Sequence, residues 1–146
     1  MPEFILDHGS PKASMLSAEL DSFTQGYIEA MFFTSTGTGD DSEQDLEHAT
    51  FAELAPESLT SIVDDCRAFQ ATNATLLDSV YGVQGKYERA PYDESRAGND
   101  YWYTRNGHGT GFWDRGLGEL GEALATAARY SERNLYRGDD GLLYLS

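Results

Sequence analysis

Leu16, Leu20, Phe23, Tyr27 and Met31 recur at spacings of four and three, with Ile28 and Phe32 widening the stripe. That period predicts an amphipathic helix of about four turns. Ser17 stands as its N-cap, with Glu19 and Asp21 in a first turn where the helix dipole favours acids. Gly26, inside the stripe, works against the helix. A second stripe follows Pro56 and Glu57: Leu59, Ile62, Val63, Cys66, Phe69, Leu76, Leu77 and Val80, stopped by Gly82. Asp93 or Ser95 then opens a shorter helix through Ala97, Tyr101 and Thr104, ended by Asn106-Gly107. Its rival is a strand, because "YWYTR" is rich in β-favouring residues; the helix is preferred. Leu117, Leu120, Leu124 and Ala127 or Ala128 trace a last helix that Asp114 could cap. In the tail, two short apolar runs flank Gly138-Asp139-Asp140-Gly141, a β-hairpin signature.

Between the first two helices, "TSTGTGDDSEQDLEHATFAEL" carries Asp40, Asp41, Glu43, Asp45 and Glu47 in its middle with little apolar content, so residues near 35–50 read as a mobile acidic loop. Its carboxylates lack the EF-hand spacing, which leaves a solvated loop as the simpler reading. The whole pattern predicts an α+β fold: a mainly helical single domain spanning residues 1–146, with three to four helices and a small C-terminal β-hairpin. A chain of 146 residues can bury a core without disulfide or metal staples. The lone cysteine, Cys66, rules out an intrachain disulfide and falls on an apolar helix face with no basic residue at i±4 to lower its pKa, so it reads as packing. No signal peptide or membrane-length apolar run is recognisable, and a cytoplasmic setting is expected.

Charge changes the picture more than composition does. The net charge is −15, and residues 1–66 hold fourteen acids against Lys12 alone, whereas residues 67–146 hold eleven acids against nine basic residues. A field of that sign repels nucleic acid and anionic membranes and attracts basic surfaces. Direct nucleic-acid binding is therefore excluded as an expectation, and a basic protein becomes the expected partner.

Candidate chemistry concentrates in "YTRNGHGTGFWDRG", residues 103–116. His108 as general acid or base, Asp114 to orient it, and Arg105 or Arg115 to stabilise an anion would suffice for a small active site. The glycines at 107, 109 and 111 form neither a P-loop nor a dinucleotide loop, and His8, His48 and His108 show no metal-ligand spacing, so no cofactor and no metal are expected. An architectural reading is preferred. In it the glycines make the turn, Phe112 and Trp113 anchor it, and Asp114 caps the next helix or pairs with Arg105 or Arg115.

The runs "DYWYTRNGHGTGFWDRGLGE" and "LYRGDDGLLYLS", with "YIEAMFFTS" and "LAPESLTSIVDDCRAF" earlier in the chain, resemble small acidic proteins encoded by bacteriophages and prophages. The resemblance implies a phage-type protein that binds and modulates a host protein, in some cases as a DNA mimic in counter-defence, and it carries over no catalytic residue. On that reading Asp40, Asp41, Glu43, Asp45 and Glu47 are the expected partner-binding residues, supported by Glu53, Glu57, Asp64 and Asp65. The alternatives are a small enzyme or ligand binder on the His108 loop, or a structural or assembly protein.

Overall fold

The first helix among the described residues, α1 (Ser22–Ser35), starts where the Asp21 carboxylate accepts the Thr24 amide at 2.7 Å. Asp21 is thus the N-cap rather than a first-turn residue, which corrects the sequence reading; Ser17 and Glu19 lie outside the described residues. The computed structural model describes residues 20–35, 49–85, 89–129 and 131–146. In α1 the apolar stripe is broad enough to bury Phe23, Tyr27, Ile28, Met31 and Phe32 completely. Such a helix belongs at the centre of a domain.

A one-turn 3-10 helix at Phe51–Glu53 leads into α2 (Pro56–Thr72) and α3 (Ala74–Val80). The predicted stripe from Pro56 to Val80 is therefore cut in two at Asn73, whose side-chain amide donates to the Phe69 carbonyl at 3.0 Å. Competition of this kind between side chain and backbone ends helices at Asn. Ile62, Cys66, Phe69, Leu77 and Val80 face inward as the period requires.

The segment "YWYTR" is helical: α4 runs Glu94–Arg105, capped by Asp93, which accepts the Arg96 amide, and closed at Asn106. A second 3-10 turn, Phe112–Asp114, precedes α5 (Glu119–Ala128). Strands β1 (Leu135–Arg137) and β2 (Leu143–Leu145) form an antiparallel hairpin with Leu135 opposite Leu145 and Tyr136 opposite Tyr144. The Leu143 carbonyl accepts both the Ala55 amide (3.0 Å) and the Ser58 hydroxyl (2.9 Å), fastening the hairpin to the start of α2. The fold is mainly helical α+β, with five α-helices among the described residues.

The closest packing is that of α1 on α4, and glycine makes it possible. A Cβ at Gly98 would stand 1.9 Å from the Phe23 carbonyl oxygen, and one at Gly26 would stand 2.1 Å from the Ser95 carbonyl oxygen. Neither position tolerates a side chain while the two backbones stay this close. Asn99 then donates across the crossing to the Gly26 carbonyl at 2.6 Å. Around it the core is a run of rings: Phe69 stacks on Tyr101 at 4.2 Å and on Phe112 at 5.8 Å, and Tyr27 meets Trp102 edge-on at 5.3 Å.

Candidate functional site

The arginines of residues 103–116 are building material for the interior. Arg105, at the end of α4 and 6% exposed, donates to Asp65 at 2.9 Å, to the Tyr27 hydroxyl at 3.0 Å and to the Ser131 carbonyl at 2.8 Å. Its guanidinium also lies 4.8 Å from the centre of the Tyr101 ring. Burial opposes its charge, yet the surrounding Tyr27, Tyr101 and Asp65 hold its pKa above the ordinary value. Arg133 reaches the same Asp65 oxygen at 2.8 Å and adds Ser61 at 3.0 Å. Asp65 thus ties α2, α4 and the segment before β1 together.

Arg115 forks onto Asp100 at 2.9 to 3.2 Å, and Tyr92 donates its hydroxyl to the same carboxylate at 2.6 Å. Asp100 is wholly buried on α4. Asp114 accepts from Thr110 at 3.1 Å and stays exposed; α5 instead begins after Gly118, so the cap predicted for Asp114 is absent. Nor do Arg105 and Arg115 pair with Asp114, because each is directed to another carboxylate. Phe112 anchors the loop at full burial, whereas Trp113 is 40% exposed and does not.

Gly107 makes the turn after α4 with φ +69, and a Cβ on Gly111 would strike the Thr104 hydroxyl, which receives the Phe112 amide at 3.2 Å. These two glycines act as expected; Gly109 has neither constraint. His108 is exposed, with its ring 5.9 Å from Tyr103 and edge-on to it. Partial desolvation there lowers the imidazole pKa. Arg105, His108, Asp114 and Arg115 therefore face four different sets of partners. The catalytic constellation read from their adjacency in sequence is not assembled.

The expected partner-binding acids divide into three groups. Asp40, Asp41, Glu43, Asp45 and Glu47 lie outside the described residues, as do His8 and His48. Glu57 and Asp64 are exposed on α2. Glu53 and Asp65 serve the fold. Glu53 is partly buried, which opposes ionisation, but Arg137 at 2.7 Å and the Thr50 amide at 2.9 Å hold its pKa below the ordinary value. Sequence alone could not separate these two pairs, because Arg137 and Arg133 approach from the far end of the chain.

A shallow groove of about 440 Å3 lies between the N-termini of α1 and α4, lined by Ser22, Tyr81, Tyr92, Asp93, Glu94 and Ser95. Burial and the neighbouring carboxylates push the Tyr81 phenol well up, so the groove offers neutral hydroxyls and negative charge. None of its lining residues comes from 103–116. Cys66 is buried, and desolvation raises its thiol pKa, so no thiolate nucleophile forms near neutral pH. Among the described residues no group of three or more His, Cys, Asp or Glu could hold a metal ion, and no helix is long and apolar enough to cross a membrane. Compared with protein-family models, with curated proteins and with solved structures, the chain finds no match.

Proposed function

We propose that this chain is an acidic interaction protein that binds a basic, nucleic-acid-handling protein and inhibits or modulates it, its carboxylates taking the place of phosphates. The supporting observation is the inward use of its positive charge. Arg105, Arg115, Arg133 and Arg137, four of ten basic residues, are bonded to Asp65, Asp100 and Glu53. Without those seven residues the sequence retains twenty-two acids against six basic residues. A chain with that excess of acids over bases favours fast, salt-sensitive association with Lys and Arg.

The phage-type resemblance fits this reading, and with it a DNA-mimicking role in counter-defence in the cytoplasm of an infected or lysogenic bacterium. An enzyme on the His108 loop is less well supported, since its four residues engage separate partners. The test is capture of proteins from bacterial lysate at about 0.05 and about 0.5 M salt, ionic strengths that bracket strong and weak screening. A nucleic-acid-binding partner is expected at low salt only. The variant D40N/D41N/E43Q/D45N/E47Q with E57Q/D64N should lose it. Capture that is equal at both salts and unchanged in that variant would overturn the proposal.

A further inference from the structure

The outer face of the C-terminal hairpin carries two aromatic rings. Tyr136 and Tyr144 are direct cross-strand partners, stacked with centroids 5.9 Å apart and planes at 29°, while Leu135 and Leu143 are buried on the other face. Tyr136 is 43% exposed. The Tyr144 ring is fixed from two sides: its hydroxyl donates to Asp140, and the ring lies over Gly138, where a Cβ would come within 2.6 Å of it. Carboxylates stand on the Tyr144 side of the pair. Asp139 and Asp140 are exposed in the turn, and Glu57, exposed at the start of α2, is close enough to act electrostatically on Tyr144. The nearby guanidinium of Arg137 is drawn to Glu53 and to the Gly141 carbonyl, each at 2.7 Å.

Two stacked rings with carboxylates at one side suit a planar cation, which can stack on a ring while its N–H groups reach acids. The interior contains the same arrangement, with Arg105 over Tyr101 and bonded to Asp65. A second copy of this chain is a poor occupant, since the patch would bring its own carboxylates face to face. We infer that the Tyr136–Tyr144 face of the hairpin docks an arginine side chain from an arginine-bearing segment of a basic protein, the guanidinium stacking on the tyrosine pair and bonding to the exposed carboxylates of the turn and of Glu57 beside it. The inference rests on the proposed function and places part of its contact surface on the hairpin.

The experiment is titration of the full chain with hexa-arginine and hexa-lysine peptides at low salt, followed by calorimetry and by NMR of the tyrosine ring protons. Hexa-arginine should shift the Tyr136 and Tyr144 ring resonances first. Tyr136→Leu should bind hexa-arginine about 3-fold more weakly, in line with an exposed cation–π contact, and change hexa-lysine binding less. Equal hexa-arginine affinity in Tyr136→Leu, or ring shifts centred elsewhere, would overturn the inference and leave the proposed function intact if carboxylate neutralisation still abolishes lysate capture. No binding of either peptide would count against both.

Discussion

Asp100 is the residue on which the most local order depends. It is a fully buried carboxylate in the middle of α4, and it remains there because Arg115 forks onto it and Tyr92 donates a short bond. Removing a charge from water costs several kcal/mol, so such a site holds only with its partners in place. Burial, together with the same carboxylate, pushes the Tyr92 phenol well above its ordinary pKa. Asp100→Asn keeps the shape but removes the buried charge onto which Arg115 forks. Because Arg115 is partly open to water, the expected loss is about 3 kcal/mol, at the low end for a broken buried pair. The urea midpoint at unchanged slope measures it, and a loss under about 1 kcal/mol, the worth of an ordinary neutral hydrogen bond, would show that the pair is not under the strain of burial assigned to it.

Among the elements, α1 and α4 depend on the two glycines at their crossing. Gly98→Ala places a methyl 1.9 Å from the Phe23 carbonyl, a backbone atom that cannot yield without parting the helices. The expected cost is about 3 kcal/mol, the upper end for overpacking. Gly109→Ala, with open space and no positive φ, should stay within about 0.5 kcal/mol of the parent chain. Thermal and urea unfolding of the two variants decide this, and equal stability would refute the close-crossing argument. That α4 is a helix was legible, because Asp93, the apolar period and Asn106-Gly107 are local signals. The role of Gly26 was not, since the Ser95 carbonyl that excludes its Cβ is distant in sequence. Arg105 and Arg115 look like site residues for the same reason: adjacency to His108 is visible in the chain, but Asp65 and Asp100, the partners that consume them, are made neighbours only by folding. Trp113 shows the limit from the other side, since aromatic character alone does not say which of two adjacent rings turns inward.

For the molecule as a whole, the balance between a negative exterior and a phenol-rich core sets its behaviour in alkali. Burial pushes Tyr101 up to about 12, and it raises Tyr27 and Tyr92 as well. In the unfolded chain these phenols ionise near their ordinary value of about 10. A pKa higher in the folded state means that the native form keeps protons the unfolded form releases, so this contribution to stability is complete below pH about 10 and is lost as pH rises toward the folded values. Each ionisation adds negative charge to a chain already at −15, which steepens the loss through self-repulsion. Unfolding between pH about 10 and 12 is therefore expected, with the last tyrosinate absorbance appearing together with the fall in helical circular dichroism. Added sodium chloride should move that midpoint upward, because screening weakens the repulsion between exposed carboxylates while buried pairs such as Arg105–Asp65 are little affected. Complete tyrosine ionisation with the helices intact would mean that the ring cluster of α1, α2 and α4 opens to water without unfolding, and the core would then not be the cooperative unit that its packing implies.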